Sequence, residues 1–137
     1  MKREIKFKAF DRRHNLIREI YTIDYRNKGF LMIEMAGLNG EIHEWGNTID
    51  HVDLIEYTGM KDNKKNEVFE GHILQNIKDK VLFDWLVCFK DGCFGCINIG
   101  IDGYLGDFWP VDSTYFFDDR EIIGHMYTHP ELLKGHN

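Results

Sequence analysis

The stretch VLFDWLVCFKDGCFGCINI, residues 81–99, contains the strongest apolar run in the chain. The run from Val81 to Phe89 is almost continuously apolar, which is typical of a strand in the middle of a sheet. Asp91 and Gly92 follow as a strong signal for a tight hairpin turn. The segment Phe94 to Ile101 then returns as the second strand. This predicted hairpin indicates a sheet protein and is the centre from which the rest of the fold is predicted.

Further short strands are predicted on both sides of this hairpin. In the segment Glu4 to Phe10, apolar residues alternate with charged ones, and a period of two indicates a strand with one buried face. Asp102 and Gly103 offer a second hairpin turn. The remaining strand candidates are Leu16–Tyr21, Phe30–Met35, Val52–Tyr57, Glu67–Phe69, His72–Ile77, Thr114–Phe117 and Glu121–Tyr127.

Residues 36–51, AGLNGEIHEWGNTIDH, break every period. We predict a long loop here, with one short strand around Ile42 and with Trp45 as the anchor that fixes the loop to the body of the protein. Long loops in compact domains are often functional or mobile.

Only the end of the chain is predicted to be helical. In THPELLKG, Thr128 is the candidate cap, Pro130 lies in the first turn and Gly135 follows the end. The predicted fold class is therefore mainly β, with several short antiparallel strands, an SH3-like barrel-type C-terminal half and one short C-terminal helix.

The length fits one domain of ordinary size or two very small ones. The chain has 137 residues, 43% of them hydrophobic and 14% aromatic, and a formal net charge of −6. That charge disfavours nonspecific attraction to nucleic acid, and the basic run at Lys61, Lys64 and Lys65 is interpreted as a solvated loop. No segment reaches the ~18 apolar residues that cross a bilayer, and the start lacks the apolar block of a secretory signal. We therefore expect no membrane association and a cytoplasmic location.

The three cysteines do not predict a metal site or a disulfide framework. Cys88, Cys93 and Cys96 form one closely spaced pair, whereas structural zinc takes four ligands that usually come as two pairs. His72 or His125 could complete such a site, but a thiol in an apolar strand more often behaves as a small hydrophobic side chain. We expect no cofactor and no metal.

No catalytic motif is recognisable either. The single serine, Ser113, lacks the surrounding glycines of a nucleophile elbow, and no glycine-rich phosphate loop is present. We therefore expect that the chain is not an enzyme.

Three segments together resemble a known family. They are REIKFKAFD at residues 3–11, YTGMKDNKKNEVFEGHIL at residues 57–74 and EIIGHMYTHPELL at residues 121–133. In this order and spacing they are similar to the YopX family of bacteriophage and prophage proteins. Met60, His72 and His125 depart from the family pattern, which has Leu, Asp and Asn there.

The resemblance implies a small, soluble, largely β protein from a phage genome, located in a bacterial host. It implies a single YopX-like domain over 1–137, with possible sub-halves 1–66 and 67–137. It implies no activity and no catalytic residue.

The first functional hypothesis is an accessory protein that binds a protein partner or self-associates as a homo-oligomer. Its candidate contact residues are Tyr57, Lys61, Asp62 and Trp109. The alternative is a small β-barrel that binds nucleic acid through aromatic and lysine side chains, which the net charge disfavours.

Overall fold

A computed structural model describes residues 4–38, 42–79, 83–100, 102–111 and 117–135 of the chain. The regular structure of the described residues is mainly strand, and their longest helical element is a 3-10 helix over Pro130–Lys134. The prediction of a mainly β fold is therefore confirmed. The strands are β1 Phe7–Asp11, β2 Leu16–Asp24, β3 Met32–Met35, β4 Glu44–Asn47, β5 Val52–Lys61, β6 Glu67–Phe69, β7 His72–Asn76, β8 Asp84–Lys90, β9 Cys93–Ile99, β10 Leu105–Pro110 and β11 Arg120–His125.

The chain divides into two compact units that meet in sequence between Glu56 and Tyr57, within β5. We call Ile5–Glu56 the N-terminal unit and the residues from Tyr57 onward the C-terminal unit. The predicted sub-halves instead met between residues 66 and 67.

The first sheet is antiparallel with the strand order β4-β3-β2-β1-β5-β6, and the N-terminal unit contributes β4, β3, β2, β1 and the part of β5 up to Glu56. The alternation predicted for Glu4 to Phe10 is not present, since Ile5 is 76% exposed whereas the consecutive residues Ala9, Phe10 and Asp11 are all buried. Ala9, Ile33, Met35 and Val52 form the buried cluster of this unit. One face of the sheet is therefore covered, which fixes its register.

The C-terminal unit contains an antiparallel sheet with the order β10-β9-β8-β7-β11, so the apolar run of β8 does occupy a central strand. One buried cluster joins Val68, Leu74, Val87, Cys96 and Phe117. A second cluster, Ile73, Leu86 and Ile99, packs against partly buried hydrophobic side chains that include Leu132 and Leu133 of the 3-10 helix. Because alternate residues of β7 and β8 enter different clusters, both faces of the sheet are covered, which explains the nearly continuous apolar sequence.

The hairpin that directed the prediction is confirmed. β8 and β9 pair from Asp84↔Ile99 to Lys90↔Cys93. Asp91 and Gly92 both have positive φ, at 52° and 83°. Two successive left-handed residues are what a two-residue type I′ turn requires, and this turn matches the twist of the paired strands.

Several finer predictions are corrected. The SH3-like barrel is not confirmed, because the sheet order has β10 and β11 at its two ends and the described residues do not pair them into a closed sheet. Leu105–Pro110 forms β10, which the sequence analysis missed, since Gly106 and Pro110 disguise the strand pattern. The predicted strand at Thr114–Phe117 falls largely outside the described residues.

The predicted loop at residues 36–51 also differs from the structure. Its strand is Glu44–Asn47 and not around Ile42, whose side chain is 88% exposed. Trp45 is not an anchor, because it lies on β4 with 46% of its surface exposed. Tertiary pairing of β4 with β3 decided this position.

At the C-terminus, the predicted helix is a 3-10 helix that follows His129, and no side chain caps it, so Thr128 is not its cap. Gly135 does end the helix, with φ of 78°. Within the described part of the chain, no helix is long and apolar enough to cross a membrane.

Candidate functional site

The polar loop after β5 is organised by one buried carboxylate. Asp62 is only 1% exposed. Its Oδ1 accepts hydrogen bonds from the backbone N–H groups of Lys64 at 3.0 Å and Asn66 at 2.9 Å. Its Oδ2 accepts one from the N–H of Ile122 on β11, also at 2.9 Å. Because these donors come from separate segments, Asp62 both shapes the loop and attaches it to β11.

A second set of contacts holds the same loop against the start of β11. The backbone N–H of Asn63 donates to the carbonyl oxygen of Arg120 at 2.9 Å. The Asn63 side-chain amide donates to the carbonyl oxygen of Asp118 at 2.8 Å. Lys64 Nζ lies 3.2 Å from Glu121 Oε2. The run of Lys, Asp and Asn is therefore a built turn whose exposed lysine side chains project from a fixed backbone.

The Tyr-Thr-Gly sequence before this loop forms an irregularity in β5. Thr58 Oγ1 donates to the carbonyl oxygen of Val68 at 2.7 Å and accepts from the N–H of Met60 at 3.1 Å. Gly59 has φ of 85°, and the pairing of β5 with β6 shifts register between Tyr57 and Lys61. Such bulges redirect a strand and its side chains.

The Glu-Gly-His sequence forms a corner between β6 and β7 at which glycine is required. Gly71 has φ of 89°, and its N–H donates to the carbonyl oxygen of Val87 at 2.7 Å. Its own carbonyl oxygen accepts from the N–H of Met126 at 2.8 Å. A Cβ at this position would lie 2.5 Å from the His125 ring. Both the backbone conformation and the adjacent ring therefore exclude a side chain here.

Two histidines meet at this corner. His72 on β7 pairs directly with His125 on β11, and their ring centroids are 5.3 Å apart. His72 Nδ1 accepts the N–H of Phe69 at 2.8 Å. His125 Nε2 lies 2.9 Å from the carbonyl oxygen of Glu70, and His125 Nδ1 accepts the N–H of Tyr127 at 3.2 Å. The imidazoles thus connect the corner to the end of β11.

Aromatic rings continue from this pair in both directions. Successive ring centroids are separated by 5.2 Å from Tyr57 to Phe69 and by 6.1 Å from Phe69 to His72. His125 and Tyr127 are 5.3 Å apart. The central and C-terminal sequence motifs therefore meet in one row of rings, which runs from buried Tyr57 to Tyr127, whose side chain is 37% exposed.

Comparison with known proteins agrees with these motifs. The sequence pattern of the family described as YopX protein matches residues 6–134. The chain belongs to the YopX family. His72 and His125, at which this YopX chain departs from the pattern given above, are partners in one cross-strand pair. No curated protein matches the chain significantly.

One solved structure is similar to this YopX chain in its fold. The crystal structure of protein EF1440 from Enterococcus faecalis aligns with a TM-score of 0.60 and 19% sequence identity. The alignment covers 96% of this chain and 99% of that one. At this identity the likeness concerns the fold alone.

The predicted contact residues fall into two groups. Tyr57 and Asp62 are buried, with 4% and 1% of their surface exposed. Lys61 is exposed at the end of β5, and Trp109 on β10 is 57% exposed. Lys61 and Trp109 are therefore accessible at the surface in this conformation, whereas Tyr57 and Asp62 are not.

Exposed aromatic side chains lie on both strands that flank β9, with Phe89 on β8 and Trp109 on β10. Phe89 packs against Phe94 with ring centroids 4.9 Å apart and is 45% exposed. Phe94 pairs with Phe89, and Cys96 pairs with Trp109, so alternation along β9 places Phe89, Phe94 and Trp109 on one face of the sheet. We call these three residues the aromatic edge.

The cysteines are packed as apolar residues. Burial raises the pKa of the Cys96 thiol to about 12, and burial followed by the Glu70 carboxylate raises the pKa of Cys88. Raised values keep both thiols protonated at neutral pH, when they are poor ligands and nucleophiles. No group of three or more potential ligands placed to hold a metal ion occurs among the described residues.

The sequence analysis missed a buried ionic network in the N-terminal unit. Asp11 has no exposed surface. Its Oδ2 lies 2.8 Å from Arg18 Nη1 and 2.7 Å from His14 Nδ1, and its Oδ1 accepts the backbone N–H of Arg13 at 3.0 Å. Burial alone would raise the pKa of Asp11, but the hydrogen bonds from His14 and Arg18 hold it well below its usual range.

Arg18 extends this network to the loop before β4. Its side chain is only 2% exposed. Its Nε donates to the carbonyl oxygen of Ala36 at 2.8 Å, and its Nη2 lies 3.1 Å from Glu44 Oε1. The signal that the sequence offers is an arginine, Arg18, within the predicted strand Leu16–Tyr21. Nothing local indicated that the side chains of Asp11 and Arg18 would be buried together.

Proposed function

We propose that this YopX chain is a phage- or prophage-encoded accessory protein that works by binding a protein partner, or a second copy of itself, and not by catalysis. The observation that carries the proposal is the aromatic edge. Trp109 is 57% exposed and Phe89 is 45% exposed on one face of the same sheet. Tryptophan is enriched among the residues that contribute most to binding energy at protein interfaces.

The position of Trp109 also supports contact with a macromolecule. β10 is the terminal strand in the order β10-β9-β8-β7-β11. Among the described residues its register with β9 is irregular between Leu105 and Phe108, and Pro110 ends it. A bulge, a charge at Asp107 and a proline are features that discourage addition of another strand. We therefore expect a partner to bind the exposed side chains of the aromatic edge and not to add a strand to β10.

The test compares two tryptophans that are similarly exposed. Trp109→Ala removes the aromatic edge, whereas Trp45→Ala removes a 46% exposed tryptophan from β4, the terminal strand of the other sheet. The mass of each variant is measured by light scattering over a wide concentration range, and each is used for affinity capture from bacterial lysate. We expect the wild type and Trp45→Ala to associate or to retain a defined partner, and Trp109→Ala to lose at least tenfold in affinity.

A monomer at every concentration, together with no capture that depends on Trp109, would contradict the proposal. Nucleic-acid binding, the alternative, is disfavoured by the net charge of −6, and Lys64, one of the three loop lysines, already pairs with Glu121. Retention of DNA at low salt that survives Trp109→Ala would favour that alternative.

A further inference from the structure

The two histidines at the Gly71 corner use the same ring nitrogen in the same way. His72 Nδ1 accepts the backbone N–H of Phe69, and His125 Nδ1 accepts the backbone N–H of Tyr127. A nitrogen that accepts a hydrogen bond carries no proton. Because the imidazolium ion has protons on both nitrogens, each of these contacts is compatible only with the neutral ring.

The other nitrogen of His125 fixes its tautomer. Nε2 lies 2.9 Å from the carbonyl oxygen of Glu70, and a carbonyl oxygen can only accept, so Nε2 carries the proton. A second proton would have to be placed on Nδ1, opposite the N–H of Tyr127. His125 is only 3% exposed, so water has little access to replace the lost contact.

The surrounding backbone leaves little space into which a protonated His125 ring could move. Gly71 is attached to β8 through the carbonyl oxygen of Val87 and to the segment after β11 through the N–H of Met126. The His125 ring already lies where a Cβ on Gly71 would be placed. A ring that turns away from Tyr127 also moves its Nε2 away from the carbonyl oxygen of Glu70, and this is a side-chain contact that joins residues 69–72 to residues 125–127.

Titratable groups surround the corner on several elements. Glu70 precedes Gly71, Cys88 lies on β8 within the electrostatic influence of Glu70, and Tyr127 and His129 follow β11. Tyr57 lies beyond Phe69 in the row of rings. The Glu70 carboxylate favours a protonated imidazole, whereas the amides at 2.8 and 3.2 Å oppose it by direct contact with Nδ1. The contact with the amides is the stronger effect, because protonation of Nδ1 would leave two hydrogen-bond donors, the ring N–H and the backbone N–H, facing each other.

We propose that this corner is a pH-sensitive latch, in which protonation of His72 and His125 releases the amides of Phe69 and Tyr127 and opens the contact between residues 69–72 and 125–127. The latch is closed when both imidazoles are neutral. It opens as the pH falls below the range in which a free histidine titrates, which is about 6.5.

Two histidines of the N-terminal unit, His14 and His43, have the opposite arrangement. His14 Nδ1 lies 2.7 Å from Asp11 Oδ2, and His43 Nδ1 lies 3.3 Å from Glu34 Oε2. A carboxylate accepts from either the neutral or the protonated ring, so acidification leaves these contacts intact. The contacts of His14 and His43 are therefore an internal reference for the effect of pH on the latch.

The sign of the effect follows from proton linkage. The unfolded or opened segment binds protons on both histidines below about pH 6.5, and the closed corner does not. Protection of the Phe69 and Tyr127 amides against hydrogen exchange is therefore complete above that pH and falls as the pH decreases. At pH 5.5 the opening equilibrium should increase by about tenfold for each histidine, and by about a hundredfold for both.

Amide hydrogen exchange resolved by NMR tests the latch in the intact chain at pH 7.5 and 5.5. We expect the protection factors of Phe69 and Tyr127, corrected for intrinsic exchange, to fall by about a hundredfold. The amides of Arg13, bound to Asp11, and Ala36, bound to Glu19, should change little. Equal protection at both pH values, or a loss shared by all four amides, would refute the latch.

Neutral replacements sharpen the test. His72→Asn keeps an acceptor for the N–H of Phe69, and His125→Gln keeps a donor for the carbonyl oxygen of Glu70. Each change should therefore reduce the fall in protection between pH 7.5 and 5.5 from about a hundredfold to about tenfold. His43→Gln is the matched control and should leave the effect unchanged. If His125→Gln does not fold, the ring nitrogens of the wild type decide the matter, since a protonated Nδ1 on His125 or His72 at pH 7.5 would overturn the proposal.

Discussion

Each unit of this chain buries a carboxylate near the end of a strand, but the two carboxylates have opposite kinds of partner. Asp11 ends β1, and the side chains of Arg18 and His14 reach its carboxylate. Asp62 follows β5, and it is bound by the backbone N–H groups of Lys64, Asn66 and Ile122.

The difference shows two ways of burying a charge. The Asp11 network balances one charge with others, so removing a partner leaves a charge buried and unbalanced. The Asp62 contacts use dipoles that the loop backbone must satisfy in any case, so the carboxylate determines the shape of the loop. The first arrangement depends on the partner's charge, whereas the second depends on the acceptor being present.

The largest effect is expected from Arg18→Met. This change leaves the Asp11 carboxylate buried without its closest full charge and should cost about 3–5 kcal/mol in the free energy of unfolding. Urea denaturation monitored by tryptophan fluorescence measures it. The double variant Arg18→Met with Asp11→Asn should recover a substantial part of the loss, and a single variant within about 1 kcal/mol of the wild type would contradict the charge-balanced description.

Asp62→Ala should have the next largest effect. It removes the acceptor of three backbone N–H groups and should destabilise the chain by about 2–3 kcal/mol. Hydrogen exchange should also show faster exchange at Ile122. Asp118→Ala, at an exposed turn position, is the control, and it should change stability by less than about 0.5 kcal/mol. Equal effects of both changes would remove the distinction between Asp62 and an ordinary surface acid.

The next effect is the loss of the stability that Asp11 contributes as the pH is lowered. The pKa of Asp11 is depressed in the folded chain, so the unfolded chain takes up the proton first. The contribution of Asp11 to the free energy of unfolding is complete above about pH 5. It is lost as the pH falls through the ordinary carboxyl range, and the loss should reach about 2 kcal/mol at pH 2.5. Denaturation curves from pH 6 to 2.5 should show this slope in the wild type. The Arg18→Met and Asp11→Asn double variant should lack that part of it, and identical slopes would argue against a depressed value.

Lys64→Ala should have the smallest effect. Its ammonium group lies 3.2 Å from Glu121, but the Lys64 side chain is 66% exposed, so solvent screens the pair. We expect a change below about 0.5 kcal/mol in thermal or urea denaturation, reduced further in high salt. A loss as large as that of Asp62→Ala would mean that the charged side chain, and not the Asp62 carboxylate, holds the loop.

Much of the fold was predictable because its signals are local. The apolar run before Asp91 and the Asp-Gly turn identified the β8–β9 hairpin, and both turn residues have the expected positive φ. β10 was missed because Gly106 and Pro110 interrupt its pattern, and pairing with β9 overrides that weak local preference. The candidate site was predictable only as a set of motifs, because ring contacts such as His72 to His125 join residues far apart in sequence.

By itself, the sequence determined that the chain would be built from short antiparallel strands, that a tight turn would fall at Asp91-Gly92, and that the motifs resemble those of the YopX family. These properties depend on alternation, turn chemistry and motif order within short segments. Only the tertiary structure decided that Asp11 and Asp62 are buried, that Trp109 is exposed and that His72 lies against His125. Burial and proton placement depend on partners supplied by other strands, and strand pairing across the sheet is what brings those partners together.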